Sequence, residues 1–150
     1  MLIMASQRRD LAAMVAPLQR ALIAAEQPVL RAHGLSMWGY VVLNALDGHP
    51  VRTQVALAES IGADKSRIIG VLDELEDNGL LERTRDPADR RARFVGITEN
   101  GRRKRREVQD DIQRGEERVL AHLAPADRAA FLRALAVLSA LPATELIGEK

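Results

Sequence analysis

The chain has 150 residues, of which 47% are hydrophobic, and a formal net charge of +1. This length and apolar content suit one domain with a continuous core, and no apolar run approaches the ~20 residues of a membrane span. The absence of cysteine excludes disulfides and thiolate metal sites. His33, His49 and His122 lie too far apart in sequence to indicate a metal site. We therefore expect a cytoplasmic protein without a metal or another cofactor and without contact with a membrane.

Apolar residues at helical spacing predict a long first helix that ends near residues 33–34. Pro17 and Pro28 should kink this helix or divide it. Ser36 is the predicted N-cap of a second helix, which should stop within residues 47–50, a stretch rich in turn formers.

Two further helices are predicted on either side of a glycine turn. Thr53 should open a short third helix that runs through about Ser60, and Gly62 supplies the turn. Asp64 can cap a fourth helix, which should end at residues 78–79 because glycine readily takes the left-handed conformation of a helix end. The residues predicted to face the core are Val55, Ala58 and Ile61 in the third helix and Ile68, Val71, Leu72 and Leu75 in the fourth.

The spacing then changes to that of two short strands, residues 80–85 and 90–98, around a turn at residues 86–89. A long helix should follow from Glu99 to about His122, with Val108, Ile112, Val119 and Leu123 on one side. Pro125 fits the first turn of a last helix. The predicted fold class is mainly α with a small β hairpin (α+β), in the order of a winged helix-turn-helix.

In such a motif the fourth helix is the recognition helix, and its outward-facing N-terminal residues meet base edges in the major groove. Those positions hold Lys65, Ser66, Arg67 and Gly70. Lys65 and Arg67 can donate to guanine or to phosphate, Ser66 can contact either, and Gly70 lets the backbone approach the duplex. For this helix taken alone, an ordinary amphipathic helix with a solvated polar face is an equal alternative.

Arginines concentrate on the predicted hairpin, at Arg83, Arg85, Arg90, Arg91 and Arg93. So many cations on a short ribbon repel one another unless an anion lies against them. We expect the last four to contact DNA, with Arg90 at the tip entering a minor groove. Asp86 and Asp89 are expected to shape the wing by holding neighbouring arginines. The alternative, solvated surface pairs, would contribute little to stability.

A second basic run, residues 102–106, lies in the first turns of a predicted helix, where the helix dipole disfavours cations. Two explanations are open. The run either contacts phosphate, or it pairs with Glu99, with Glu107 or with a partner subunit.

Three segments resemble the MarR family of regulators: residues 34–36, residues 63–83 and residues 86–101. In the third, Asp89, Arg91, Ile97 and Thr98 fill the places of the family's wing signature. The resemblance implies a dimer joined by the first and last helices, and repression that a small anionic or phenolic ligand often relieves. The sequence departs from the family at Gly70 and Glu74, where a basic or polar residue is common, which suggests that the wing contributes more than usual.

The sequence therefore predicts a single domain over 1–150, with dimerisation helices at 1–34 and 99–150 and a winged helix-turn-helix DNA-binding region at 36–98. Its partners would be double-stranded DNA and a second copy of the chain, and it would act as a transcription regulator, namely a repressor, on an inverted repeat. Motifs of an enzyme, such as a nucleophile elbow or a phosphate-binding glycine loop, are missing. The alternative is a winged-helix module that binds protein without specific DNA binding.

The sole tryptophan and the sole tyrosine fall together at Trp38 and Tyr40, just after Arg31 and His33. Arg31 or His33 could meet the carboxylate of a small-molecule effector while Trp38 stacks on its aromatic ring. The alternative is that Trp38 only fills the core and Tyr40 lies at the edge of the core.

Overall fold

The computed structural model describes residues 7–48 and 52–148. Its elements, in chain order, are α1 Leu11–Ala32, α2 Met37–Asp47, β1 Arg52–Thr53, α3 Gln54–Ile61, α4 Lys65–Asp77, β2 Leu81–Asp86, β3 Asp89–Ile97, α5 Glu99–Leu120, α6 Pro125–Ser139 and α7 Ala143–Ile147. The predicted class, mainly α with a small β component, is confirmed. The chain divides into two compact units, one up to Ile112 and one from Gln113 onward.

The first two helices begin and end close to where the sequence places them. α1 is one helix with both prolines inside it, so neither Pro17 nor Pro28 divides it. Ser36 caps α2 as predicted, because its side-chain oxygen accepts a hydrogen bond from the Gly39 backbone N–H at 2.9 Å. α2 ends at Asp47. His49 and Pro50, part of the predicted stop, lie outside the described residues.

A tight turn joins α3 to α4. Thr53 caps α3 by accepting from the Ala56 N–H at 3.1 Å, and Gly62 ends it in the left-handed conformation with φ 68°. Such a φ is free of steric cost only for glycine. One core prediction for α3 is wrong, because Val55 is 48% exposed and Leu57 is buried instead. Because the helix begins at Gln54, the face that turns toward the core carries Leu57, Ala58 and Ile61.

The wing is part of a three-stranded antiparallel sheet in the order β1-β3-β2. β1, which the sequence does not predict, pairs Arg52 with Val95 and Thr53 with Phe94. The predicted hairpin is present as β2 and β3, and its two turn residues are 87 and 88. Thus β3 forms the centre of the sheet and carries the arginine-rich segment.

A single apolar cluster holds the first unit together. It takes residues from α1, α2, α3, α4, the hairpin and α5, and its fully buried members are Leu30, Val42, Leu43, Leu46, Leu57, Leu72, Leu81, Val95 and Val108. Each such side chain contributes roughly 1.5–3 kcal/mol through removal of apolar surface from water. The four predicted core residues of α4 all belong to the cluster or pack against it. This core fixes the position of α4 relative to the wing.

The start of α5 lies against the base of the hairpin. The Thr98 hydroxyl donates to the Gly79 carbonyl at 2.6 Å and accepts from the Gly101 N–H at 3.0 Å. A Cβ at Gly101 would lie 2.0 Å from the Leu80 carbonyl oxygen. Glycine is therefore required for this close approach. Farther along α5, Val108 and Ile112, which the sequence places on one side of the helix, are buried.

The second unit contains the end of α5 together with α6 and α7. Pro125 occupies the first turn of α6 as predicted, whereas the short α7 is not predicted. An ion pair joins Arg128 to Glu117 at 2.6 Å. No residue of α6 is buried, and Val119 and Leu123, which the sequence places beside Val108, are 37% and 38% exposed.

Candidate nucleic-acid interface

The first turn of α4 is held by its cap. The Asp64 carboxylate accepts from the Arg67 backbone N–H and from the Ser66 hydroxyl, both at 2.7 Å. These hydrogen bonds, that from the Arg67 N–H first, lower the pKa of Asp64 below its ordinary value. The carboxylate therefore stays ionised at neutral pH and keeps the end of the helix ordered.

The predicted DNA-contacting residues of α4 are all exposed: Lys65, Ser66, Arg67 and Gly70. At about 100° per residue, Ser66 and Gly70 lie opposite the buried Ile68, while Lys65 and Arg67 flank them. The Ser66 hydroxyl hydrogen is used by Asp64, which leaves the oxygen as an acceptor. A Cβ at Gly70 would meet nothing within 4 Å, so the outward face of α4 is open.

Arg67 contacts the ring of Trp38 at the start of α2. Its guanidinium carbon lies 5.7 Å from the centroid of the Trp38 ring, within the range of a cation–π interaction. The structure thus brings together a residue that the sequence assigns to DNA and one that it assigns to an effector.

The wing is irregular where its arginines are most dense. Arg85 pairs with Arg93, and the next pair is Asp86 with Asp89. Between these pairs β2 advances by one residue and β3 by four, so Arg90, Arg91 and Ala92 form a bulge on β3. Bulges bend a strand and redirect its side chains. The tip itself is the turn at residues 87 and 88, so Arg90 lies just beyond the tip at which the sequence places it.

Arg85 and Arg93 stand directly opposite each other on neighbouring strands. Side chains in such a pair lie on the same face of the sheet, about 5 Å apart at Cβ, and like charges there are destabilising. Arg85, Arg90, Arg91 and Arg93 are all exposed. This arrangement favours an anion against the wing.

Asp86 and Asp89 accept hydrogen bonds from the backbone of the wing. Asp86 accepts from the Ala88 backbone N–H at 2.8 Å, and Asp89 accepts from the Arg91 backbone N–H at 2.9 Å. Within the described ranges neither forms an ion pair with an arginine side chain. Their carboxylates therefore stabilise the turn and the bulge through backbone hydrogen bonds.

One hairpin arginine faces inward and joins β2 to α4. Arg83, whose side chain is 10% exposed, donates to Asp73 at 2.5 Å and to Glu76 at 3.0 Å. Glu76 also accepts from the Arg83 backbone N–H at 3.0 Å. The hydrogen bond from the Arg83 side chain lowers the pKa of Glu76, and the Glu76 carboxylate raises the pKa of Arg83. This cluster fixes the base of the wing to the recognition helix.

A cleft of about 290 Å³ lies between the wing and the start of α3, and its lining includes Arg91 and Arg93. Asp89 also lines the cleft, so its wall carries residues of both charges.

The second basic run divides between internal pairs and exposed cations. Arg105 lies 3.2 Å from Asp47 at the end of α2, a partner that the sequence does not predict, and Arg102 lies 3.6 Å from Glu99, a predicted one. Arg103 and Arg106 are exposed. Part of the run therefore fastens α5 to α2.

The predicted effector residues are spread over the end of α1 and the start of α2. Nε2 of His33 lies 2.6 Å from a carboxylate oxygen of Asp111 in α5, so His33 already has an anionic partner. Arg31 is exposed. Tyr40 is half-buried against the core, whereas Trp38 lies under Arg67.

No helix in residues 7–48 and 52–148 is long and apolar enough to span a membrane. No cluster of three or more potential metal ligands occurs there either.

A capped recognition helix beside an arginine-rich wing defines a winged helix-turn-helix DNA-binding protein. The sequence model of the MarR family matches residues 33–92. The PcaV transcriptional regulator from Streptomyces coelicolor, solved in complex with its natural ligand, is 31% identical, with 88% of this chain and 96% of PcaV covered and a TM-score of 0.64. The chain belongs to the MarR family, and its relatives are transcriptional regulators.

Two further relatives support this assignment. The transcriptional repressor CouR, solved bound to a 23-mer DNA duplex, is 28% identical, with 93% of this chain and 99% of CouR covered and a TM-score of 0.74. The transcriptional regulator HosA from Escherichia coli O111:H- is 40% identical over 62 residues, which are 41% of this chain and 46% of HosA. The match thus spans less than half the length of HosA.

Proposed function

We propose that the protein is a repressor that binds an inverted-repeat operator as a homodimer. The observation that carries this proposal is the cross-strand pair Arg85–Arg93 on an exposed wing, because two facing guanidinium groups are stabilised when phosphates lie against them. CouR, a repressor with the same fold that has been solved on duplex DNA, supports the proposal.

In the proposed complex, α4 lies in the major groove and the wing lies along the flanking backbone. Lys65, Ser66 and Arg67 contact bases or phosphates, and Gly70 allows close approach of the helix. The wing contacts come from Arg85, Arg90, Arg91 and Arg93. Arg90 enters the minor groove, where the negative potential is concentrated.

Apolar surface on the terminal helices supports the proposed dimer. Leu11 and Val15 in α1 are 63% and 54% exposed, and α6 exposes Leu135, Val137 and Leu138 at 49%, 64% and 53%. A helix with apolar residues and no buried position gains little stability in a lone chain. We propose that a second copy covers these residues, with 1–34 and 99–150 as the dimerisation segments and 36–98 as the DNA-binding region of one domain.

The two-fold symmetry of the dimer sets the form of the operator. The half-sites should be inverted repeats with centres about one helical turn, ~10 base pairs, apart. If each subunit neutralises about four phosphates, the logarithm of the binding constant should fall with the logarithm of the salt concentration with a slope of about −7. A protein-binding module would show no such salt dependence.

Release by a small aromatic or anionic ligand is a further part of the proposal, supported by the complex of PcaV with its natural ligand. A ring stacked on Trp38 would compete with the Arg67 guanidinium, and Arg31, His33 and Tyr40 lie on the adjoining segments. Such a ligand acts only if it binds the DNA-competent and DNA-incompetent states with different affinities. Titration with salicylate, followed by Trp38 fluorescence and by DNA affinity together, tests this part.

The test of DNA recognition compares two arginines on the duplex selected by the protein from genomic fragments. Arg90→Ala should weaken binding to selected and scrambled duplexes alike, because it removes a backbone or groove contact. Arg67→Ala should reduce discrimination between them by ~1–3 kcal/mol. Arg9→Ala removes an exposed cation before α1. This control should change neither the affinity for DNA nor the discrimination between the duplexes. Reversed profiles for Arg67 and Arg90 would contradict the assignment of the contacts.

A further inference from the structure

Trp38 has a role that its place in the chain does not reveal. Its neighbours Met37 and Tyr40 pack against the apolar core, but Trp38 belongs neither to the buried cluster nor to the half-buried residues packed on it. Its ring lies under the guanidinium of Arg67, with 5.7 Å between the guanidinium carbon and the ring centroid. The ring therefore contacts the side chain of a residue in the first turn of the recognition helix.

Arg67 occupies a place where a cation needs support. It lies in the first turn of α4, where the helix dipole disfavours positive charge. Two groups offset this effect, namely the Asp64 carboxylate, which interacts with Arg67 electrostatically, and the negative face of the Trp38 ring. In the part of the chain that the structure describes, no hydrogen bond uses the N–H groups of the Arg67 guanidinium.

A cation–π contact leaves those N–H groups available. The attraction arises between the positive guanidinium and the face of the ring, so it uses none of the five donors that an arginine presents to a guanine or a phosphate. A long side chain that is already confined over a ring also loses less rotational freedom when it binds. Trp38 can therefore orient Arg67 before DNA arrives.

We propose that Trp38 is a specificity-determining residue of the DNA interface, which acts by holding the Arg67 guanidinium in the orientation that reads one base pair of each half-site. This inference rests on the proposed function. It separates Trp38 from the wing arginines, whose contacts with the backbone and the minor groove do not depend on the ring.

The test is a scan of single base-pair substitutions across the selected operator duplex, measured by fluorescence anisotropy. Arg67→Ala should flatten the preference at one position of each half-site. Trp38→Leu should weaken the preference at the same position by about two- to fivefold, the effect of an exposed cation–π contact. Trp38→Phe keeps a ring and should lie closer to the wild type. In an Arg67→Ala background, Trp38→Leu should have no further effect.

Measurements on the free protein provide the folding control. Trp38 is the only tryptophan, so Arg67→Ala should shift its emission spectrum without DNA. Circular dichroism should show that each variant is folded, and Trp38→Met replaces Trp38→Leu as the ring-free variant if the latter unfolds.

Several results would overturn the inference. A folded ring-free variant with the wild-type base preference would do so, as would one that weakens binding equally at every position or retains its effect without Arg67. In each of these cases the proposed function would still hold, provided that the wild type binds its operator specifically. If the wild type itself binds no sequence preferentially, the proposed function and this inference fail together.

Discussion

Replacement of Arg83 tests whether one hairpin arginine serves folding and not DNA. Arg83→Met retains an aliphatic chain but removes the side-chain hydrogen bonds to Asp73 and Glu76, while the backbone N–H can still donate to Glu76. A hydrogen bond to a charged group contributes roughly 1.5–3 kcal/mol. Asp73 and Glu76 are 54% and 38% exposed. Water therefore screens their ion pairs with Arg83 in the wild type and solvates both carboxylates once the guanidinium is removed. We expect a net loss of about 2 kcal/mol in the free energy of unfolding.

Thermal unfolding followed by circular dichroism measures this loss. For a chain of this size about 2 kcal/mol lowers the Tm by roughly 4–8 °C. Arg85→Met is the matched control, because it lies two residues away on the same strand and is exposed. The control should lose less than ~0.5 kcal/mol of stability but should weaken DNA binding. All proteins are compared at one concentration, because the Tm of a dimer depends on the protein concentration. Equal Tm values for the two variants would refute the assigned role of Arg83.

Three other predictions concern stability and assembly. Gly101→Ala should destabilise the protein by about 1–3 kcal/mol, since its Cβ would lie 2.0 Å from a carbonyl oxygen, whereas Gly115→Ala on the same helix, with open space around it, should be neutral or stabilising in thermal melts. The pKa of Glu76 is lowered from its ordinary 4.5, so its contribution to stability is present above about pH 4.5 and is lost as the pH falls through the folded value; Glu76→Gln should flatten the pH dependence of unfolding in that acid range. Light scattering at micromolar concentration should give twice the monomer mass for the wild type and a monomer for Leu135→Asp; a wild-type monomer would contradict the proposed dimer.

Elements with a strong local signal could be predicted from the sequence. The N-caps Ser36, Thr53 and Asp64 can be predicted from residue type, because each side chain accepts a hydrogen bond from the backbone N–H three residues later. All three caps are confirmed. The core face of α4 follows from apolar spacing alone. β1 could not be predicted, because a strand of two residues has no periodicity and is defined only by its pairing with β3.

The candidate site was harder to predict because equal charges take unequal roles. Five arginines in one segment indicate an anionic partner, but only the fold shows that Arg83 points toward Asp73 and Glu76. The alternation of β2, which puts Arg83 on the same face as the buried Leu81, is a signal that could have identified it. The contact between Trp38 and Arg67 joins two helices that lie far apart in the sequence, and no local pattern predicts it.

Selection of bound fragments from genomic DNA tests the central claim most directly. The wild-type protein should enrich one inverted repeat with half-site centres about 10 base pairs apart. A variant with Arg90→Ala and Arg91→Ala should lose most of this enrichment at physiological salt. Absence of any enriched sequence with the wild type, or undiminished enrichment with the double variant, would contradict recognition of DNA by the winged helix.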